Sequence, residues 1–173
     1  MTKINFSKDE ELKSEIVENN MNYFVQTFRG NMLSVYDTTR DIETTSYYFA
    51  IEPSTSLLFC EFFLGCSDQI ECELFEDADY SHGTNLNVFN RNRVHASQVD
   101  GVVISSQPTV VSEGNVLCHT IEGTTVSNKI GNNASLGSGQ FFILKPNTKY
   151  LVKLTFSSTP VDLTFVFNFI PLS

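Results

Sequence analysis

The sequence predicts an all-β protein: an antiparallel β-sandwich, jelly-roll-like, behind a short N-terminal helix or arm. Three observations carry that reading. From about residue 20 onward, apolar residues recur at every second position, the period of a strand with one buried face. The alternating runs are short, and turns rich in Gly, Pro, Asn and Ser separate them. No helical pattern falls between the runs, so the strand–helix–strand order of a parallel sheet is missing.

The elements follow in order. Residues 7–18, SKDEELKSEIVE, read as a helix. Ser7 caps it, and Glu10 three positions later completes a capping box. Leu12 and Ile16, with Val17 beside them, form only a narrow apolar stripe. So thin a stripe predicts an arm that docks on another subunit rather than a core helix. Residues 22–28 and 32–36 flank Arg29-Gly30-Asn31 and read as a hairpin, which extends the arm over residues 1–37. Residues 38–173 are then the sandwich domain. Its strands are expected at 46–51, 57–64, 69–75, 101–105, 115–121, 140–144, 149–156 and 161–170. The last is the clearest: Val161, Leu163, Phe165, Phe167 and Phe169 alternate with Asp162, Thr164 and Asn168. Lys145-Pro146-Asn147-Thr148 is a turn between two strands. Residues 122–139, polar and glycine-rich, read as a long surface loop.

Composition narrows the function. A chain of 173 residues with 41% hydrophobic and 18% charged residues suits one globular domain with a real core. Its net charge of −9 and pI near 4.7 repel phosphate backbones and anionic head groups, so neither nucleic acid nor membrane is an expected partner. MTKINFSKDEEL lacks the apolar stretch of a secretion signal. The longest apolar run, Leu57–Cys66, is interrupted by Glu61 and is too short to cross a bilayer. Asn5 and Asn133 stand in N-x-S/T matches that carry no weight without an export signal. Cys60, Cys66, Cys72 and Cys118 show no C-x-x-C spacing. Reduced, buried thiols are expected, with no metal and no cofactor; Cys72 alternates with Ile70 and Leu74 as a small hydrophobe does.

No catalytic residue emerges, so an enzyme is not expected. His82, His95 and His119 fall in no metal-binding or catalytic spacing. Cys118 and His119 are neighbours on a strand, so their side chains point to opposite faces and cannot pair. LGSG at 136–139 is a glycine-rich loop, not a nucleophile elbow. Glu71 and Glu73 share one strand face, the pattern of a solvated face. In FEDADYSHG, Asp77, Asp79 and Ser81 match three calcium-loop positions, but His82 and Val88 stand where Gly and Glu are required. That stretch reads as an acidic β-turn.

The most basic stretch is Asn90-Arg91-Asn92-Arg93, which holds two of the chain's four arginines. Asn forms turns by bonding its own backbone, and Arg offers a rigid fork of donors. The run is expected to clamp a loop to the sandwich through Asp77, Asp79 or Asp100, or to meet carboxylates of a neighbouring subunit.

The ordered set of motifs resembles a family of tailed-bacteriophage auxiliary virion proteins, the decoration or cement proteins that accompany a major capsid protein. The set begins with TTRDIETTSYYFAIEPST at 38–55 and the strand end LFED at 74–77. Gly83-Thr84, Asn90 to Arg93 and Pro108-Thr109-Val110 follow, then a glycine-rich insert and ILKPNTKYLVKLT at 143–155. The likeness covers about residues 38–170, and the segment before residue 37 has no counterpart in it. It implies a jelly-roll-like sandwich without enzymatic activity, made in the host cytoplasm and bound to the outer capsid surface at junctions between capsomers. It also implies the major capsid protein as partner and self-association as dimers or trimers. Asn90, Arg91, Asn92 and Arg93, and Lys145, Pro146, Asn147, Thr148 and Tyr150, are carried over as residues of the fold or its contacts.

A competing class is a carbohydrate- or receptor-binding sandwich associated with a virion tail or head fibre. Tyr47, Tyr48, Tyr80 and Tyr150 are its candidate stacking residues. A hydrolase would need two carboxylates facing each other across a cleft, which the sequence does not display.

Overall fold

A computed structural model describes residues 27, 29–54, 56–95, 101–122, 132–135 and 141–172. They form an all-β antiparallel sandwich. One sheet holds β1 (Leu33–Ile42), β3 (Leu57–Cys66), β7 (Phe89–Asn90), β11 (Asn132–Ser135), β12 (Phe142–Leu144) and β14 (Val161–Leu172). Its order is β11-β3-β14-β1-β7, with β12 also paired to β3. The second sheet holds β2 (Ser46–Pro53), β4 (Ile70–Glu76), β6 (Thr84–Asn85), β8 (Val102–Ser106), β10 (Asn115–Glu122) and β13 (Tyr150–Phe156). Its order is β10-β4-β13-β2-β8-β6. A separate two-stranded ribbon pairs β5 (Asp79–Ser81) with β9 (Thr109–Ser112).

The alternation in sequence becomes the two faces of each sheet. Val161, Leu163, Phe165, Phe167 and Phe169 of β14 face Tyr150, Val152, Leu154 and Phe156 of β13 in one core. Phe49 sits at its centre, 4.5 Å from Phe165 and 4.9 Å from Phe167 in edge-on contacts. Each such ring contributes roughly 1.5–3 kcal/mol through burial alone. Asn168 points away from this core, yet it is also buried, and Ser34 Oγ satisfies it by donating a 2.8 Å hydrogen bond to its Oδ1 across the β1–β14 pair. On that same outer side, Met32, Phe59 and Ile170 form a small buried cluster.

The ribbon is a third layer. Ala50, Phe75 and Leu151 alternate with core residues and therefore point out of the second sheet, but all are buried beneath Ala78 and Tyr80 with Val110. Tyr80 OH donates to Ile51 O (3.4 Å), and Ala78 N donates to Lys149 O (3.2 Å). Gly83 lets the chain leave the ribbon: a Cβ there would collide with the Ser106 and Gln107 carbonyls.

Three expectations are corrected. The hairpin around Arg29-Gly30-Asn31 does not form at its described end. Thr27 and Arg29 are helical, and β7 occupies the edge of β1 at Leu33 and Ser34. The boundary at 37/38 runs through β1, so the sandwich takes in residues from Leu33 onward. Residues 132–135, expected within a loop, add a strand to the edge of β3. Leu12, Ile16 and Val17 lie outside the described residues.

Candidate functional site

Two blocks about 70 residues apart meet at one carboxylate. Glu76 ends β4, and Tyr150 begins β13 beside it. The buried Tyr150 hydroxyl donates to Glu76 Oε1 (2.8 Å) and accepts from Lys145 N (2.9 Å). Lys145 Nζ closes the cluster 3.1 Å from Glu76. The Tyr150 hydroxyl, and then Lys145, hold the Glu76 carboxyl below the usual carboxylate range. Burial pushes the Tyr150 phenol up to about 12, so it stays a neutral donor. Between these groups, Asn147 adopts a left-handed φ of 54° and donates its N–H to Pro53 O (2.8 Å). Thr148 Oγ1 donates to Pro146 O (3.3 Å). The block is thus a pinned turn.

In Asn90 to Arg93 the asparagines, not the arginines, hold the loop. Asn90 is fully buried. Its Nδ2 donates to Gly30 O, and its Oδ1 accepts from Asn92 N (2.9 Å). Asn92 Oδ1 accepts from Val94 N (3.0 Å), and Arg91 N donates to Met32 O (2.9 Å). The side chains of Arg91 and Arg93 are exposed. Among the described residues, Arg91 Nη1 reaches only the Met32 sulfur, at 3.8 Å. Neither guanidinium pairs with Asp77 or Asp79, which belong to the end of the other sheet and its ribbon; Asp77 accepts instead from Asn115 Nδ2 (3.5 Å). Asp100 lies outside the described residues.

The outer face of the second sheet carries a polar row. Register places His119, Glu73, Lys153 and Tyr48 side by side on four strands. Lys153 Nζ lies 2.8 Å from Glu113 and 3.7 Å from Glu73, and His119 Nε2 lies 2.6 Å from Glu71. Tyr48 OH donates to Glu113 Oε1 (3.3 Å). The Glu113 hydrogen bond holds the Lys153 ammonium above its ordinary value. Glu71 therefore faces the His119 ring and Glu73 the Lys153 ammonium on neighbouring strands, and they do not form a carboxylate pair across a cleft. Beyond them runs β10, the edge strand, where Val116, Leu117 and Ile121 are 56%, 46% and 59% exposed, with Val111 of β9 at 74%.

A second charged cluster fastens the ribbon. His82 Nε2 lies 3.2 Å from Glu52, and His82 Nδ1 lies 3.2 Å from Ser105 Oγ. Lys149 Nζ donates to Tyr80 O (3.0 Å) and stands 4.8 Å over the Tyr80 ring.

Cys60, Cys66 and Cys72 are buried, and burial pushes the Cys60 thiol well up. Among the described residues, no group of three or more His, Cys, Asp and Glu is placed to hold a metal ion. Cys118 packs toward the core while His119 faces Glu71, as their adjacency on a strand requires.

Of the tyrosines considered for sugar stacking, Tyr47, Tyr80 and Tyr150 are buried. Tyr48 is half-buried in the polar row. Among the described tyrosines the exposed ring is Tyr36, 67% accessible, which sequence reasoning passed over. It borders a cleft of about 530 Å³ that also includes Arg93. The chain matches no protein-family model and no curated protein.

Proposed function

We propose that the chain is a non-enzymatic virion structural protein that decorates the outer surface of a phage capsid and stabilises it by bridging capsomers. One observation carries this reading. Two of the motifs that resemble auxiliary capsid proteins meet at one carboxylate, and two others pack at the ribbon. LFED supplies Glu76, and ILKPNTKYLVKLT supplies the Lys145 and Tyr150 that bind it. Gly83 packs on Ser106 and Gln107, and Val110 of the neighbouring Pro-Thr-Val step packs against Tyr80.

The work of such a protein is mechanical. A shell of thin subunits has seams, and a rigid sandwich across a seam adds buried area. Roughly 1,000 Å² per bridge, at about 25 cal/mol per Å², stabilises the seam before ordering costs are subtracted. Repetition over the lattice multiplies weak bridges. In this reading the partner is the major capsid protein. The contact face is the exposed apolar edge of β10 with Val111. The protein self-associates as a dimer or trimer, its strands are wound as a jelly roll, and residues 1–20 dock as an arm on a neighbour. The test is thermal release of DNA from mature capsids that lack the protein. Added protein raises the release temperature; an unchanged temperature at saturating protein overturns the reading.

A further inference from the structure

We propose that the cleft beside Tyr36 of β1 binds a neutral pyranose saccharide. This goes beyond a capsid-bridging role and does not depend on it. Among the described residues, β7 pairs only with Leu33 and Ser34, and none pairs with β1 on that side from Tyr36 onward. The gap is the cleft of about 530 Å³, within the range of roughly 300–1,000 Å³ of small-ligand sites. Tyr36, Asp37, Leu86, Asn87, Phe89 and Arg93 line it.

The chemistry of that lining suits a sugar. Tyr36 is 67% exposed yet not loose: its ring packs perpendicular to Phe89 at 5.3 Å. A fixed, wet aromatic ring is a platform for the C–H face of a pyranose. Asp37, Asn87 and Arg93 surround it with carboxylate, amide and guanidinium, which together accept from and donate to paired hydroxyls. Asp37 spends Oδ1 on Thr38 N (2.7 Å), which leaves Oδ2 to accept. Arg93 is exposed, lines the cleft and makes no ion pair with the described residues. Neutrality follows from charge. One acid and one base cancel within the cleft, while the chain as a whole carries −9 and repels an acidic glycan.

The test is an NMR titration of the full-length ¹⁵N-labelled protein with maltotriose, cellotriose and chitotriose, with sialyllactose as the acidic control. Millimolar binding to at least one neutral probe is expected, with shifts confined to the amides of residues 35–37, 86–89 and 93. Tyr36→Ala and Arg93→Ala, both at exposed positions, should each weaken that binding at least about tenfold without changing the melting temperature. No shift with any neutral probe, shifts mapping elsewhere, preference for sialyllactose, or full binding by both variants overturns the proposal.

Discussion

Tyr150 donates its buried hydroxyl to Glu76 Oε1 at 2.8 Å and takes the Lys145 backbone N–H at 2.9 Å in return. One phenol thereby fixes the end of β4, the start of β13 and the turn between β12 and β13. Tyr150→Phe keeps the ring in the core and removes both bonds. Loss of a bond to a charged group costs about 1.5–3 kcal/mol, or some 3–10 °C of melting temperature for a domain of this size. A thermal melt of the variant checks this.

The same cluster sets a pH dependence on both sides of neutrality. The Glu76 carboxyl is depressed in the fold. Its contribution is present above the ordinary carboxylate value of about 4.3 and is lost as pH falls through the lower folded value. The Tyr150 phenol is raised from 10.0 to about 12. Its contribution is present below about 10 and is lost as pH rises through about 12. Urea midpoints should fall at both extremes. Glu76→Gln should flatten the acid limb and Tyr150→Phe the alkaline one.

Asn90 and its neighbouring arginines should separate cleanly. Asn90→Ala strips a buried side chain of partners on both sides of the loop and should cost about 1–3 kcal/mol. Arg91→Ala with Arg93→Ala removes exposed side chains and should stay within about 0.5 kcal/mol of the parent. Paired denaturation curves distinguish the two.

The β10 edge should carry partner binding. Val116→Lys with Ile121→Lys puts charge on exposed positions of an edge strand. Folding should be unchanged, while co-sedimentation with capsids weakens at least about tenfold.

The strands were legible because a half-buried strand must alternate, as β13 does from Val152 to Phe156 and β14 from Val161 to Phe167. The third layer was not. Ala50, Phe75 and Leu151 break the alternation because the ribbon covers them, and a two-sided apolar run looks the same whatever covers its second face. β11 reads NNAS, which carries no period at all; its pairing with β3 is purely tertiary. The Asn90–Arg93 run was legible as a clamp, but charge drew attention to the guanidinium groups. The short asparagine amides reach the backbone, and long cations gain little by leaving water. Tyr36 offered only alternation within an ordinary strand, and nothing local signals that β7 stops before it.

The most direct test of the capsid account is co-sedimentation of the purified protein with mature capsids that lack it, quantified as copies per shell. The account predicts saturable binding at a number fixed by the lattice symmetry. Binding at only a few copies per particle, or none, would contradict it.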